Sequence, residues 1–203
     1  MAEGVLVLGD VSGGELSLTA REVLAAGRKV ADDLGEGLSI GLFGESLEGP
    51  SQQAISHGAD KVYSVTNPAL GQYQVDLYLT AMETLCREAD PSVILLGRTN
   101  EGRELAPRLA FRLGVGLAQD CLEISVEPAT KKLLANRPVY GGSAVAVVSC
   151  NYNPQVAAVR PKVYEPLEAD ASRQGQVVSF PVELDASEAR TMVVNTVKEE
   201  SQG

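Results

Sequence analysis

The sequence predicts an α/β fold in which a parallel sheet carries helices on both faces and further β-strands extend the core. Continuous apolar runs such as Val5-Leu6-Val7-Leu8 indicate strands that are buried on both faces. Stretches with apolar residues three and four apart separate these runs, and parallel neighbours need a helical connection of that length. After Gly114 strand-like segments dominate, which predicts the additional strands.

The first half of the chain alternates strand and helix. The first strand ends at Gly9-Asp10, and a capping box of Thr19 and Glu22 is predicted to begin the first helix. The next predicted elements are strands over 38–43, 62–65 and 93–96, a short helix over 51–57, and a helix with Tyr78, Met82, Leu85 and Ala89 on its apolar face. His57 precedes Gly58, where it is predicted to cap the short helix rather than act as a base.

A turn over 97–102 follows the fourth strand and leads into another helix. Because proline is tolerated only near the first turn of a helix, Pro107 predicts a helix that begins close to Arg103 or Glu104. Strands are then predicted over 117–126, 133–140, 144–150 and 156–159, with a hairpin turn at 128–130. Residues 1–165 are predicted to form the α/β domain, and 166–203 a linker and tail with edge strands over 177–184 and 191–197.

Composition narrows the classes of function. The chain has 203 residues, 44% of them hydrophobic, which allows one sizeable core. Its net charge of −10 argues against nucleic acid and anionic membrane surfaces as partners. We expect a cytoplasmic protein without membrane insertion, because no apolar run is long enough to span a bilayer and the amino terminus lacks signal-peptide features. Cys86, Cys121 and Cys150 lie far apart in the sequence, which predicts reduced thiols and no metal site.

Two glycine-containing turns are candidate nucleotide sites, because ligands of open α/β sheets bind at the carboxyl ends of the strands. Gly9, Gly97 and Thr99 offer groups that accept a phosphate, and Arg98 offers a guanidinium to pair with it. The favoured interpretation is a vestigial site, a turn that has kept the fold and lost the ligand. The run over 12–17 resembles a pyrophosphate-binding loop but has Leu16 at the aspartate position, which favours a plain turn.

Nothing in the sequence predicts catalysis. One histidine and three scattered cysteines provide no nucleophile with a base at useful spacing, so we predict no catalytic residues and no enzyme activity.

Several longer segments resemble one family in the same order along the chain. These are Gly58-Ala59-Asp60, the run over 102–120 with its Ala-Pro-Arg and Arg-Leu-Gly, Arg137-Pro-Val-Tyr-Gly-Gly142, and the run over 154–161. Together with the opening strand, they resemble the amino-terminal domain of electron-transfer flavoprotein alpha subunits over roughly residues 4–197.

The resemblance implies a nucleotide-hydrolase-like, Rossmann-like domain that pairs with a similarly folded beta subunit. In that family the heterodimer carries electrons through FAD, commonly from acyl-CoA dehydrogenases, and the AMP lies in the beta subunit. The flavin is held mainly by a second, glycine-rich alpha-subunit domain, which would follow Gly203. The resemblance therefore implies that this chain alone does not retain FAD.

Docking to a beta subunit is predicted for the region after Gly114. Leu117-Ala118 and Val139-Tyr140 are expected to bring apolar surface to sheet edges, and Arg137 is suited to bidentate contacts across an interface. Two alternatives stay open. One is a stand-alone adenine-nucleotide-binding or ATP-cleaving domain, and the other is an assembly module with no role in electron transfer.

Overall fold

A computed structural model describes residues 2–185, 187, 189–191, 193–195 and 197. The strands are β1 Val5–Gly9, β2 Val11–Ser12, β3 Glu15–Leu16, β4 Leu38–Gly44, β5 Lys61–Thr66, β6 Val93–Gly97, β7 Leu117–Cys121, β8 Glu123–Val126, β9 Leu133–Val139, β10 Ala144–Val148, β11 Gln155–Val159 and β12 Gln176–Ser179. The helices are α1 Leu18–Leu34, α2 Glu48–Ser56, α3 Val75–Ala89 and α4 Asn100–Leu113, and Pro68–Leu70 and Tyr140–Gly142 form short 3-10 turns.

The main sheet has seven parallel strands in the order β12-β5-β4-β1-β6-β11-β7. The chain builds outward from β1 through β4 to β5, and then crosses to the other side of β1 to form β6. The strand order therefore reverses between β1 and β6, which makes their carboxyl ends the expected ligand position. The predicted α/β class with a parallel sheet is confirmed.

Alternate residues of the central strands fill two separate core layers. Val5 and Val7 of β1 pack in the layer that contains α1 and α2, whereas Leu6 and Leu8 pack in the layer that contains α3 and α4. Successive residues of a strand point to opposite faces of the sheet. Because both faces are covered here, these strands are apolar without interruption. All five residues of β1, β6 and β11 are buried.

The strands after Gly114 divide between two sheets. Strands β7 and β11 join the parallel sheet, while β8, β9 and β10 form a three-stranded antiparallel sheet. The prediction of one strand over 117–126 is wrong, because the chain changes sheets at Leu122, whose N–H donates to the Asn136 carbonyl at 2.7 Å. Ile124, Leu133 and Ala135 of the small sheet are buried in the α1 layer, so the added strands extend the same core as predicted.

Two predicted helix starts are wrong. Helix α1 begins at Leu18 with Ser17 as its cap, since the Ser17 hydroxyl accepts the Ala20 N–H at 3.0 Å; Thr19 lies inside the helix. Helix α4 begins at Asn100, and Pro107 lies well inside it. Pro107 is exposed, so the carbonyl of Arg103 that loses its helical donor faces water, which makes the proline tolerable there.

Among the described residues after 165 there is one strand. Strand β12, Gln176–Ser179, adds to the edge of the parallel sheet beside β5 and overlaps the first part of the edge strand predicted over 177–184. The strand predicted over 191–197 falls partly outside the described residues, and its described residues lie in no strand. The division at residue 165 stays a prediction. None of the helices within the described residues is long and apolar enough to cross a bilayer.

Candidate functional site

A cavity lies at the carboxyl ends of the central strands, under the helical layer of α3 and α4. Its volume is about 150 Å³, and it is lined by Gly9, Asp10, Val11, Phe43, Gly71, Tyr73, Tyr78, Met82, Glu101 and Leu105. Of the predicted nucleotide residues, only Gly9 lines it. The cavity lies at the carboxyl ends of β1 and β4, beside the point at which the strand order reverses, where ligands of open α/β sheets bind.

Asp10 is the carboxylic acid of this cavity whose pKa is raised. Its Oδ2 accepts the Thr99 hydroxyl at 3.2 Å, a bond that joins the turns after β1 and β6. Burial, with the negative charge of Glu101 nearby, raises the pKa of Asp10 to about 6. Among the described residues, neither Asp10 nor Glu101 forms a salt bridge, and no lysine or arginine lines the cavity. The cavity is therefore acidic.

Aromatic rings form much of the remaining wall. The Tyr73 and Tyr78 ring centroids lie 5.2 Å apart, and those of Phe43 and Tyr78 lie 6.3 Å apart. Both tyrosine hydroxyls donate to protein acceptors, Tyr73 to Glu104 at 3.0 Å and Tyr78 to the Leu70 carbonyl at 2.9 Å. Burial, with smaller contributions from the charges of Glu101 and Asp10, raises the pKa of Tyr78 to about 12.

The turn between β6 and α4 is packed tightly against itself. A Cβ at Gly102 would lie 1.8 Å from the Gly97 carbonyl oxygen, and a Cβ at Gly97 would lie 2.4 Å from the Thr19 methyl carbon, so both positions require glycine. The Thr99 hydroxyl already accepts the Gly102 N–H at 3.1 Å, which caps α4 from within the chain. A phosphate-binding role for Gly97 and Thr99 stays a prediction.

Arg98 extends away from the cavity. Its backbone N–H donates to the Val159 carbonyl at 2.7 Å, and its Nε lies 3.5 Å from Asp120 Oδ1. Asp120 also accepts two hydrogen bonds from Arg160, at 2.9 and 2.7 Å. Arg160, together with Arg98 and Arg137, holds the pKa of Asp120 below its usual range. Arg98 and Arg160 thus form an ion-pair cluster with Asp120, and Arg137 lies close enough for its charge to act on the same carboxylate.

The small antiparallel sheet carries an exposed apolar edge. Within the described chain β10 pairs only with β9, and its Val145 and Val147 are 58% and 63% exposed. Tyr140, in the turn before β10, is 86% exposed and has a left-handed φ of 52°, which a bulky residue rarely adopts. The structure thus places Tyr140 at this edge, next to Arg137, whereas Ala118 is buried in the core.

Other sequence candidates have structural roles. The run over 12–17 forms a β-hairpin between β2 and β3, with Gly13 and Gly14 both at positive φ, followed by the α1 cap. His57 ends α2, and its Nδ1–H donates to the Leu167 carbonyl at 2.8 Å. Burial raises the pKa of Cys86 and Cys121 to about 12, so both thiols are unreactive. Within the described residues, no group of three acidic, histidine or cysteine side chains meets as a metal site.

Asp10 and Glu101 are not among the site residues predicted from the sequence. Both lie in the two turns predicted as candidate nucleotide sites, directly after β1 and within 97–102. A carboxylate placed immediately after a buried parallel strand is the signal that could have identified Asp10.

Comparison with known proteins gives the family. A model of the electron transfer flavoprotein domain matches residues 5–185. The chain is 36% identical to the electron transfer flavoprotein subunit alpha of Clostridium acetobutylicum over 97% of its own length and 59% of that relative's length. It belongs to the electron transfer flavoprotein family. The subunit alpha of Bacillus subtilis is 34% identical over the whole chain and 61% of its own length, and the acryloyl-CoA reductase electron transfer subunit beta of Anaerotignum propionicum is 32% identical.

This member of the electron transfer flavoprotein family spans about three fifths of the length of the curated relatives it matches. FAD is the cofactor that the family implies. The cavity at the carboxyl ends does not fit it, because a volume of about 150 Å³ is below the ~300 Å³ of ordinary ligand pockets and its carboxylates would repel a pyrophosphate.

Proposed function

We propose that this chain is the scaffold and docking domain of an electron-transfer flavoprotein alpha-type subunit. It docks a beta-type subunit, and the complete assembly carries electrons through FAD from an acyl-CoA dehydrogenase or a similar donor. The relatives' names support the subunit role, because a subunit named alpha has a partner. The chain itself performs no catalysis in this proposal, and the FAD is held by the assembly.

The observation that carries the docking proposal is the exposed edge formed by Tyr140, Val145 and Val147, called the docking edge from here on. An unpaired strand offers backbone N–H and C=O groups to a partner strand, and aromatic side chains are enriched where subunits meet. Tyr140 keeps a strained backbone conformation while it makes little use of its ring within the chain. Strain of that kind is found at positions with a function.

Arg137 has a supporting role in this proposal. It lies next to Asp120 and Arg160 at the base of the turn, where it lowers the pKa of Asp120, and its Nε has no hydrogen-bond partner among the described residues. Arg137 lies in β9, the strand that leads to Tyr140, and its guanidinium is suited to bidentate contacts with a carboxylate of the partner.

Co-purification with a beta-type subunit tests the proposal. We expect Tyr140→Ala to weaken the complex by about tenfold or more, since a truncated aromatic anchor commonly costs about 2 kcal/mol. Tyr152→Ala is the matched control, because Tyr152 is also exposed, at 72%, but lies outside the docking edge. Equal complex formation by wild type and Tyr140→Ala would place the interface elsewhere.

The flavin provides a second measurement on the same preparations. We expect the purified chain to be colourless even after incubation with FAD, because the family's flavin is held mainly by a second alpha-subunit domain and the cavity at the strand ends is too small for a dinucleotide. A yellow chain with stoichiometric FAD would contradict the scaffold role.

A further inference from the structure

We propose that the acidic cavity at the ends of β1 and β4 binds a small organic cation, with Asp10 as the counter-ion and Glu101 at the mouth. This site is independent of the proposed docking function. The cavity residues Phe43, Met82 and Leu105 belong to the core layer of α3 and α4, whereas the small sheet that carries the docking edge packs in the opposite layer.

The carboxylates at the cavity have no cationic partner among the described residues. Asp10 is half-buried, and among the described residues the one hydrogen bond to its carboxylate comes from the neutral Thr99 hydroxyl, while Glu101 is exposed. A third carboxylate is close by, since Glu45 Oε2 lies 3.0 Å from the position of a Cβ on Gly71, a lining residue. A buried carboxylate is normally paired with a cation or with several donors. An ammonium group at the cavity would supply that partner, whereas a phosphate would face three like charges.

The walls of the cavity also favour an organic cation, independently of the carboxylates. Phe43, Tyr73 and Tyr78 surround the cavity with rings, and Met82 and Leu105 add apolar surface. The tyrosine hydroxyls are engaged by Glu104 and Leu70, so they contribute no free donor for an anion. Aromatic faces attract organic cations, and apolar side chains accommodate an alkyl group.

The size of the cavity limits the ligand to a small molecule. A cavity of about 150 Å³ accommodates a molecule about as large as benzene. This excludes a nucleotide and favours an alkylammonium of a few heavy atoms. Ligands of that size reach dissociation constants of about 1 mM, so binding is expected to be weak but saturable.

Three probes of nearly equal size and different charge test the proposal: propylammonium, 1-propanol and propionate. Each is titrated into the full chain while amide chemical shifts are followed by NMR. We expect saturable shifts of the Val11 and Glu101 amides with propylammonium and none with the other two. Equal shifts with 1-propanol would show an apolar cavity with no preference for a cation and would contradict the proposal. Stronger shifts with propionate or AMP, or no response to any probe, would also overturn the proposal.

Substitutions assign the binding to the cavity. Asp10→Asn keeps an acceptor for Thr99 and removes the charge, so we expect the dissociation constant for propylammonium to rise about tenfold or more. Glu101→Gln should raise it by a smaller factor. Glu88→Gln on α3 is the control, because it removes one exposed carboxylate away from the lining. An equal loss of binding in Glu88→Gln would mean that net charge alone attracts the ligand.

Acidity provides a further readout. The groups that surround Asp10 are Glu101 and Glu104 on α4, with Arg108 paired to Glu104, and Tyr73, Tyr78 and Glu45 across the cavity. Since Asp10 titrates near pH 6 and must be ionised to pair, binding of propylammonium is expected to weaken as the pH falls from 7.5 to 5. Binding that is unchanged over this range would exclude Asp10 as the counter-ion.

Discussion

Two aspartates at strand ends show how surroundings decide the behaviour of one residue type. Asp120 accepts two hydrogen bonds from Arg160 and lies beside Arg98 and Arg137, so its pKa is lowered and its charge stabilises the fold. Asp10 has a hydroxyl donor and a like charge nearby, so its pKa is raised to about 6. Asp120 therefore favours the folded state when ionised, and Asp10 favours it when protonated.

The raised pKa of Asp10 predicts that its charge destabilises the isolated chain at neutral pH. An ordinary aspartate in the unfolded chain titrates near 3.8, so the folded state loses stability as the pH rises from about 4 to 6. We expect Asp10→Asn to increase the free energy of unfolding at pH 7.5 by about 1–3 kcal/mol. Denaturant titrations of both proteins at pH 7.5 and 5 measure the difference.

The pH dependence is the control for that result. The advantage of Asp10→Asn should shrink towards pH 5 and approach zero near pH 4, where Asp10 is protonated in both states. A gain that is equal at both pH values would come from packing rather than charge. A loss of stability at pH 7.5 would contradict the assigned pKa.

At the scale of elements, the sequence predicts what periodicity and composition control. The apolar runs over 5–8 and 93–96 identify strands β1 and β6, because a strand that is buried on both faces has apolar residues at every position. Ser17 and Thr19 are both adequate caps by type; in the structure the Ser17 hydroxyl takes the Ala20 N–H, whereas Thr19 lies in the helix against Gly97. The change of sheet at Leu122 likewise depends on β9, whose position is set by distant contacts.

The candidate sites divide in the same way. Gly9, Gly97 and Thr99 could be predicted to come together, because carboxyl ends of parallel strands share one edge of a sheet. The direction of Arg98 could not, since it depends on Asp120 in a strand that lies two positions away in the sheet. The aromatic wall of the cavity also escapes prediction, because Tyr73 and Tyr78 reach Asp10 only through the placement of α3.

Pro107 makes helix α4 a testable element. Its missing N–H leaves the Arg103 carbonyl without a helical donor, although the site is exposed and the helix continues to Leu113. We expect Pro107→Ala to increase the free energy of unfolding by about 1–3 kcal/mol, since the restored hydrogen bond outweighs the greater freedom of the unfolded chain. Arg108→Ala, at the next exposed position, should stay within about 0.5 kcal/mol of wild type. Pro107→Ala that is less stable than wild type would show that α4 requires the proline geometry.

At the scale of the whole molecule, the parallel sheet separates two surfaces of different character. The cavity with Asp10 and Glu101 lies on the side of α3 and α4, and the docking edge lies on the small sheet that packs with α1. A net charge of −10 keeps copies of the chain apart in general, but the docking edge itself is apolar. An exposed apolar edge of this kind favours association between copies of the isolated chain.

We expect the isolated chain to self-associate through the docking edge, because two apolar strands, each with one unpaired edge, lower their free energy by pairing. Replacing Val145 and Val147 with Lys places charge on that edge and should shift the chain to monomer, as measured by sedimentation velocity at two concentrations. Val177→Lys is the control, since Val177 is 44% exposed on β12, the edge of the other sheet. Excess beta-type subunit should also dissolve the self-association, because both contacts use one surface. If the Val145 and Val147 substitutions leave association unchanged while Val177→Lys abolishes it, the chain pairs through β12 and the docking edge is not its adhesive surface.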